Sequence, residues 1–160
     1  MLQIRPARRS DAEAAFDIRL QAIRHHCRTV YTDEQVKAWT AVPITERYRD
    51  WVKSDYHLGW VEGVPVATGL IDFQSGELGA LFVLPAFMGQ GVGKKMVSYL
   101  EQLARGAGLT EIHLEATLNA TDFYHSCGFV GDRESIYHSP SGLELACVPM
   151  RKRLLNRRPA

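Results

Sequence analysis

Cysteine is scarce in this chain, and what there is cannot build a scaffold. Of 160 residues only Cys27, Cys127 and Cys147 are cysteines, an odd number, widely spaced, with no Cys-x-x-Cys pair and no histidine at zinc-finger spacing. A disulfide framework and a structural zinc are both disfavoured, and a reduced, cytoplasmic protein without a metal is the expectation. Long apolar runs are missing too. None approaches the roughly 20 residues of a membrane span, and the opening MLQIRPARRSD lacks the apolar stretch of a signal peptide. No membrane partner is expected. Charge of one sign is also lacking: 19 Lys+Arg against 18 Asp+Glu leave a net charge of +1, so no basic field argues for nucleic acid. The local exception is the cluster Arg151, Lys152, Arg153, Arg157 and Arg158, read as a solvated basic tail over 152–160 behind one domain over 1–151. There are no internal repeats, no low-complexity segments and no linker long enough to divide the chain.

What is present suits a single α/β domain, with 46% hydrophobic and 23% charged residues. Leu2–Arg5 reads as a strand. Ser10-Asp11-Ala12-Glu13 reads as a capping box opening a helix that runs to His26, with Ala12, Ala15, Phe16, Leu20 and Ile23 on one face. Two shorter helices follow between Thr32 and Trp51, broken at Pro43. Tyr56–Val61 and Val66–Phe73 form a hairpin about Glu62-Gly63-Val64-Pro65, and Glu77–Leu84 is a third strand. Beyond Gly89-Gln90-Gly91-Val92-Gly93 a helix carries Val92, Met96, Leu100, Leu103 and Ala107 on its apolar face and ends at Gly106 and Gly108. Ile112–Ala116 is a strand, Ala120–Cys127 a short helix, Gly128–Tyr137 a strand, and Leu143–Arg151 the last strand.

Three glycines before an amphipathic helix let the backbone turn sharply and present free N–H groups. With the helix dipole behind them and Lys94 and Lys95 at the rim, the loop suits a phosphate or pyrophosphate. It is neither a Walker loop nor a dinucleotide fingerprint, and a turn that merely packs strand on helix remains the plain alternative.

The run Leu81-Phe82-Val83-Leu84-Pro85-Ala86-Phe87-Met88-Gly89-Gln90-Gly91-Val92-Gly93 resembles the central motif of the GNAT superfamily of acyl-CoA-dependent N-acyltransferases. Asn119-Ala120, Phe123-Tyr124 and Gly128-Phe129 are similar to its second signature, Val148–Lys152 to its last strand and Ile4–Ala7 to its first. The resemblance spans nearly the whole chain. It implies a mixed, mostly antiparallel, splayed central sheet flanked by helices, with acetyl-CoA as cosubstrate. Leu81, Phe82 and Val83 would pair with the pantetheine arm, and Met88, Gly89, Gln90, Gly91, Val92, Gly93 and Lys94 would form the phosphate loop. Met88 stands where the family has Gln or Arg. The Asn found in many members seven residues before the Tyr falls on Thr117, and Asn119 comes two positions later, so the contact to the arm belongs to one or the other.

Tyr124, which spacing alone would make a core residue, is by resemblance the proton donor to the leaving thiolate and a neighbour of the donor. Glu77, six residues before Val83, is the candidate base for the amine, against a solvated residue after Ser75-Gly76. Cys127 sits on an apolar stripe without a fixed His and reads as packing rather than as a nucleophile. His25, His26 and Cys27 point in different directions on a helix and do not make a metal site. Tyr31, Trp39, Tyr48 and Trp51 gather on the acceptor side, where a small primary amine is expected, most of them as packing. A non-catalytic acyl-CoA-binding module and a protein N-acetyltransferase are the competing readings, and a homodimer is left open.

Overall fold

The computed structural model describes residues 1–154. β1 (Leu2–Pro6) is followed by a 3₁₀ turn at Arg9–Asp11 and by α1 (Ala12–His26). The Ser10–Glu13 capping box does not form. The Asp11 carboxylate instead accepts the Arg8 N–H at 2.7 Å, two residues earlier than the sequence suggests. α1 buries Ala12, Ala15, Ile18, Ala22 and Ile23, while Phe16 and Leu20 lie only half-buried at the edge of that stripe. α2 (Asp33–Thr40) and α3 (Glu46–Asp55) flank Pro43 as expected. Each begins at a threonine whose hydroxyl accepts the N–H three residues on, Thr32 from Gln35 and Thr45 from Tyr48, both at 3.1 Å.

β2 (Tyr56–Val61) and β3 (Val64–Ile71) form a tighter hairpin than the sequence reading has it. Only Glu62 and Gly63 make the turn, at φ of 49° and 78°, and Val64 already belongs to the strand. β4 (Leu78–Val83) closes an antiparallel sheet of order β1-β2-β3-β4. After α4 (Val92–Gly106), β5 (Glu111–Thr117), α5 (Thr121–Ser126), β6 (Ser135–His138) and β7 (Glu144–Arg153) build a second antiparallel sheet, of order β5-β7-β6. The expected strand over Gly128–Tyr137 is mostly loop. Val130 makes one bridge to Arg151, and Gly131, at φ 144°, turns the chain away before β6 begins. Lys152 and Arg153 are strand residues rather than tail: the Lys152 ammonium lies 2.6 Å from the Glu101 carboxylate and Leu154 is buried. Arg157 and Arg158 lie outside the described residues.

The two sheets meet at a single parallel bridge, Glu77 to His113, reinforced by the His113 N–H donating to the Gly76 carbonyl at 3.0 Å. Beyond it β4 and β5 part. Leu70 of β3 packs with Ala12, Ala15 and Val52 on one face, while Ala67 and the bare Cα of Gly69 meet Met96 and Leu100 of α4 on the other. α4 also lays Val97, Leu100 and Ala104 against Ile112, Leu114 and Met150 of the second sheet. Ala104 thus takes the inward place that spacing gave to Ala107, which is exposed. The end of α1 does the same from the other face, where Ile23 and Cys27 join Leu145 and Phe82. Each fully buried Leu or Met of these contacts contributes about 2 kcal/mol, so the divergent sheets are held as one body by the helices rather than by a ladder. Among the described residues no helix is long and apolar enough to cross a membrane.

A bulge distorts β4 where it begins to part from β5. The register with β3 shifts between Thr68 and Leu70, Ala80 sits at φ 49°, and the buried Thr68 hydroxyl donates to the Ala80 carbonyl at 2.6 Å. Thr68→Val keeps the shape of the side chain and leaves that carbonyl without its donor. Unfolding in urea is expected to show a loss of about 1–3 kcal/mol; an unchanged midpoint would mean that the bulge holds without this bond.

Candidate functional site

Strand alternation decides what the gap offers. The Leu84 N–H donates to the Val66 carbonyl on β3 at 2.9 Å, so the N–H and C=O of Val83 point the other way, into the space between β4 and β5. That carbonyl has a partner already: His26 Nε2 lies 3.1 Å from it and, since a carbonyl only accepts, Nε2 carries the proton. The Val83 N–H faces the gap. Phe82, by contrast, is opposite Thr68 on the paired side, and its ring turns toward Ile23 and Leu145. Leu81 packs against the α4 side of the core. Of the three residues expected along the donor's arm, Phe82 is therefore turned to the paired side, and Val83 is the one flanked by a bond to β3 that fixes its amide toward the gap.

The loop after β4 has the backbone geometry that an anion cradle needs. Gly89 and Gly91 adopt left-handed conformations at φ 75° and 80°, and a side chain at either would point into open space. The first bond of α4 runs from the Lys95 N–H to the Gly91 carbonyl at 3.1 Å, so the amides of Val92, Gly93 and Lys94 have no partner within the helix. Met88 is exposed, and the Gln90 side chain folds back to donate to the Ala86 carbonyl at 3.2 Å. Gly93 has a different duty from its neighbours. It is helical, and a Cβ there would stand 3.0 Å from the Phe123 ring, so its missing side chain is what lets α5 approach α4. Unbonded amides, left-handed glycines and the positive end of a helix fit a pyrophosphate.

Tyr124 is buried, edge-on to Phe123 and Phe129, and burial pushes its phenol well above the ordinary value, so it stays protonated into alkaline solution. Three buried polar atoms among the described residues lack a partner, and the Tyr124 hydroxyl is not one of them. Asn119 is exposed, and its Oδ1 accepts the Cys27 thiol at 3.5 Å. Burial raises that thiol to about 11, so Cys27 is inert at neutral pH. Cys127 is half-buried and also raised by burial, as a packing residue would be. Glu77 is exposed at the vertex where the sheets meet. Tyr124 follows the far end of β5, so the two are not brought together: about 13 Å of strand, from His113 to Thr117, lies between their attachments.

Sequence reasoning missed the tie that Tyr31 makes. Its hydroxyl donates to the Ala146 carbonyl at 2.6 Å and accepts the Leu118 N–H at 3.1 Å, pinning the α1–α2 loop to the end of β5 and to β7. It also missed His26, which it considers only as part of a rejected metal site and not as the partner of a strand carbonyl.

A model of the acetyltransferase (GNAT) family matches residues 21–129. A protein from Rhodopseudomonas palustris, described as a GCN5-related N-acetyltransferase and as an aminotransferase of class II, superposes with a TM-score of 0.87 at 25% identity, covering 95% of both chains. PaiA N-acetyltransferase from Thermoplasma acidophilum, solved in complex with coenzyme A, gives 0.69 at 15% identity over 96% of this chain and 99% of its own. The acetyltransferase yncA from Salmonella typhimurium, solved with acetyl-CoA, gives 0.64 at 23% identity over 100% and 98%. No curated protein matches.

Gly91→Asp adds a left-handed side chain and a negative charge to the cradle while touching nothing packed. Calorimetry is expected to show coenzyme A binding to the unaltered protein and none to the variant, with circular dichroism unchanged. Equal affinities would remove the loop from the binding site.

Proposed function

The chain belongs to the acetyltransferase (GNAT) family, so its reaction class is acetyl transfer, and we propose that it moves the acetyl group of acetyl-CoA directly to a primary amine of a small molecule, both substrates being bound together. One observation carries this reading: the gap between β4 and β5 has an outward Val83 amide on its wall and leads to the unbonded amides at the start of α4. A donor with amides along its arm and a pyrophosphate at its end has partners at both places. Acetyl-CoA, when bound, supplies the activated thioester.

The residues of this chain then divide the remaining work. The amides of Gly89–Lys94, with the Lys94 and Lys95 ammonium groups, hold the pyrophosphate; Val83 pairs with the arm, and an N–H of the β4 wall stabilises the carbonyl oxygen as charge develops on it. Asn119 is a less direct partner for the arm than its sequence position suggests, because its carbonyl oxygen accepts the Cys27 thiol. The amine nitrogen attacks the acetyl carbon, the carbon–sulfur bond breaks, and the thiolate takes a proton. Tyr124 is the donor of that proton: a phenol is protonated at neutral pH, and the burial that raises it makes the proton harder to release, so the transfer depends on the thiolate forming beside the hydroxyl. Glu77 is the acceptor of the amine's proton only through a chain of waters, because about 13 Å of β5 separates the vertex from the end that leads to Tyr124.

Release of free thiol from acetyl-CoA in the presence of a panel of small amines tests the reading; hydrolysis without any dependence on amine would overturn it. Tyr124→Phe keeps the ring contacts and is expected to lower kcat by about 10²-fold at unchanged coenzyme A affinity. The unaltered enzyme should show no alkaline loss from this group below about pH 10, the ordinary tyrosine value that burial raises. An unchanged kcat with chemistry rate-limiting would return Tyr124 to the core. Glu77→Gln should lower kcat/KM most at neutral pH, where the amine is protonated, and least toward about pH 10, where free amine is abundant. A loss independent of pH would mean that Glu77 attracts the cation without taking its proton.

A further inference from the structure

α1 turns a second polar residue toward the acceptor side. Arg19 stands seven residues before His26, two helical turns back along the same face. Its guanidinium is fixed by one bond, Nη2 donating to the Trp39 carbonyl at 3.1 Å, and by the Phe16 ring 5.9 Å below it. The other terminal nitrogen, Nη1, is buried and has no partner. Burial lowers the pKa of the guanidinium, and the titratable groups that act on it are three phenols, Tyr56, Tyr48 and Tyr137, all neutral at physiological pH. A guanidinium cannot shed its proton to escape such a place, so the charge stays and is unbalanced. The Tyr48 hydroxyl is a second buried polar atom without a well-formed hydrogen bond, with the Tyr56 hydroxyl and the Arg19 guanidinium as its electrostatic neighbours.

Two unsatisfied donors next to each other, one carrying full positive charge, match a carboxylate, which accepts from several donors and takes a guanidinium in preference to water. Tyr137 links this pair to the opposite charge. The same phenol lies within electrostatic reach of Arg19 and of Glu115 and Glu77, so a cation and two carboxylates share its surroundings.

We propose that the acceptor is an amino carboxylate, its carboxylate held by the Arg19 guanidinium and the Tyr48 hydroxyl and its ammonium group drawn toward Glu77 and Glu115. The inference rests on the reading of the acceptor as a small primary amine and narrows it to a zwitterion. Tyr137, on the exposed β6, is the side chain that must give way as the carboxylate enters. Arg19 and Tyr48 touch the substrate away from the reacting nitrogen, so they set specificity.

Calorimetric titration of the protein, saturated with coenzyme A, with the standard L-amino acids, β-alanine and γ-aminobutyrate tests this, each ligand that binds being compared with its amide or its decarboxylated amine. At least one amino carboxylate should bind, and its carboxylate-free counterpart should bind about 100-fold more weakly. Arg19→Gln should erase that difference by weakening the acid alone, and Arg19→Lys, which keeps the charge but not the fork, should retain part of it. Binding of no amino carboxylate, equal binding of the carboxylate-free amines, or an equal loss of both in Arg19→Gln would overturn the inference. The comparison on the unaltered protein decides the matter if Arg19→Gln does not fold. An amino carboxylate that binds through Arg19 yet is never acetylated would leave this inference standing and overturn the proposed transfer.

Discussion

The Glu77–His113 bridge, with the His113 ring bonded to the Ser75 carbonyl at 2.9 Å beside it, joins β4 to β5 at the vertex, and the molecule is organised around what happens after it. Two strands that diverge leave their facing amides and carbonyls without a ladder, a cost that buried backbone rarely bears. Here the gap is stabilised from its faces. α4 spans it with Met96 on one sheet and Val97, Leu100 and Ala104 on the other, and the end of α1 spans it from the opposite side through Ile23 and Cys27. Apolar packing thus sets the width of a slot whose walls are polar, and the groups that a ligand would need stay exposed.

The Ala80 bulge serves the same arrangement. A regular β4 would continue alongside its neighbour; the extra residue turns the strand just past the vertex, and the Thr68 hydroxyl fixes the turn from within β3. The electrostatics follow the geometry. Cations and free amides gather at the start of α4, carboxylates at Glu77 and Glu115 toward the vertex, and the Arg19 guanidinium is held on α1 by the Trp39 carbonyl. The polarity of the slot therefore runs along its length.

Much of this was legible in the sequence because it depends on local rules. Gly89 and Gly91 announce a left-handed loop, Pro43 announces a break, and the 3.6-residue stripe of Met96 and Leu100 announces the inner face of α4. The errors fall where a distant partner decides. Gly93 looks like a third cradle glycine until the Phe123 ring is seen against it, and Lys152 looks like tail until Glu101 is found 2.6 Å away. Ser10 and Glu13 have the spacing of a cap, but Asp11 reaches the Arg8 amide first. The Arg19 and Tyr48 orphans could not be read from spacing at all, since the signal is the absence of a bond, and only packed neighbours reveal it.

The contact between Gly93 and Phe123 has a consequence for how the chain can change over generations. Any larger residue at 93 drives into the ring, and any shift of the ring moves Tyr124, the next residue along α5. The two positions, thirty apart in sequence, therefore behave as one site under mutation: an enlargement at the first survives only with a reduction at the second. Drift in the helix that carries the anion loop is in this way tethered to the helix that carries the phenol, and lineages descending from such a chain would have to move both together or neither.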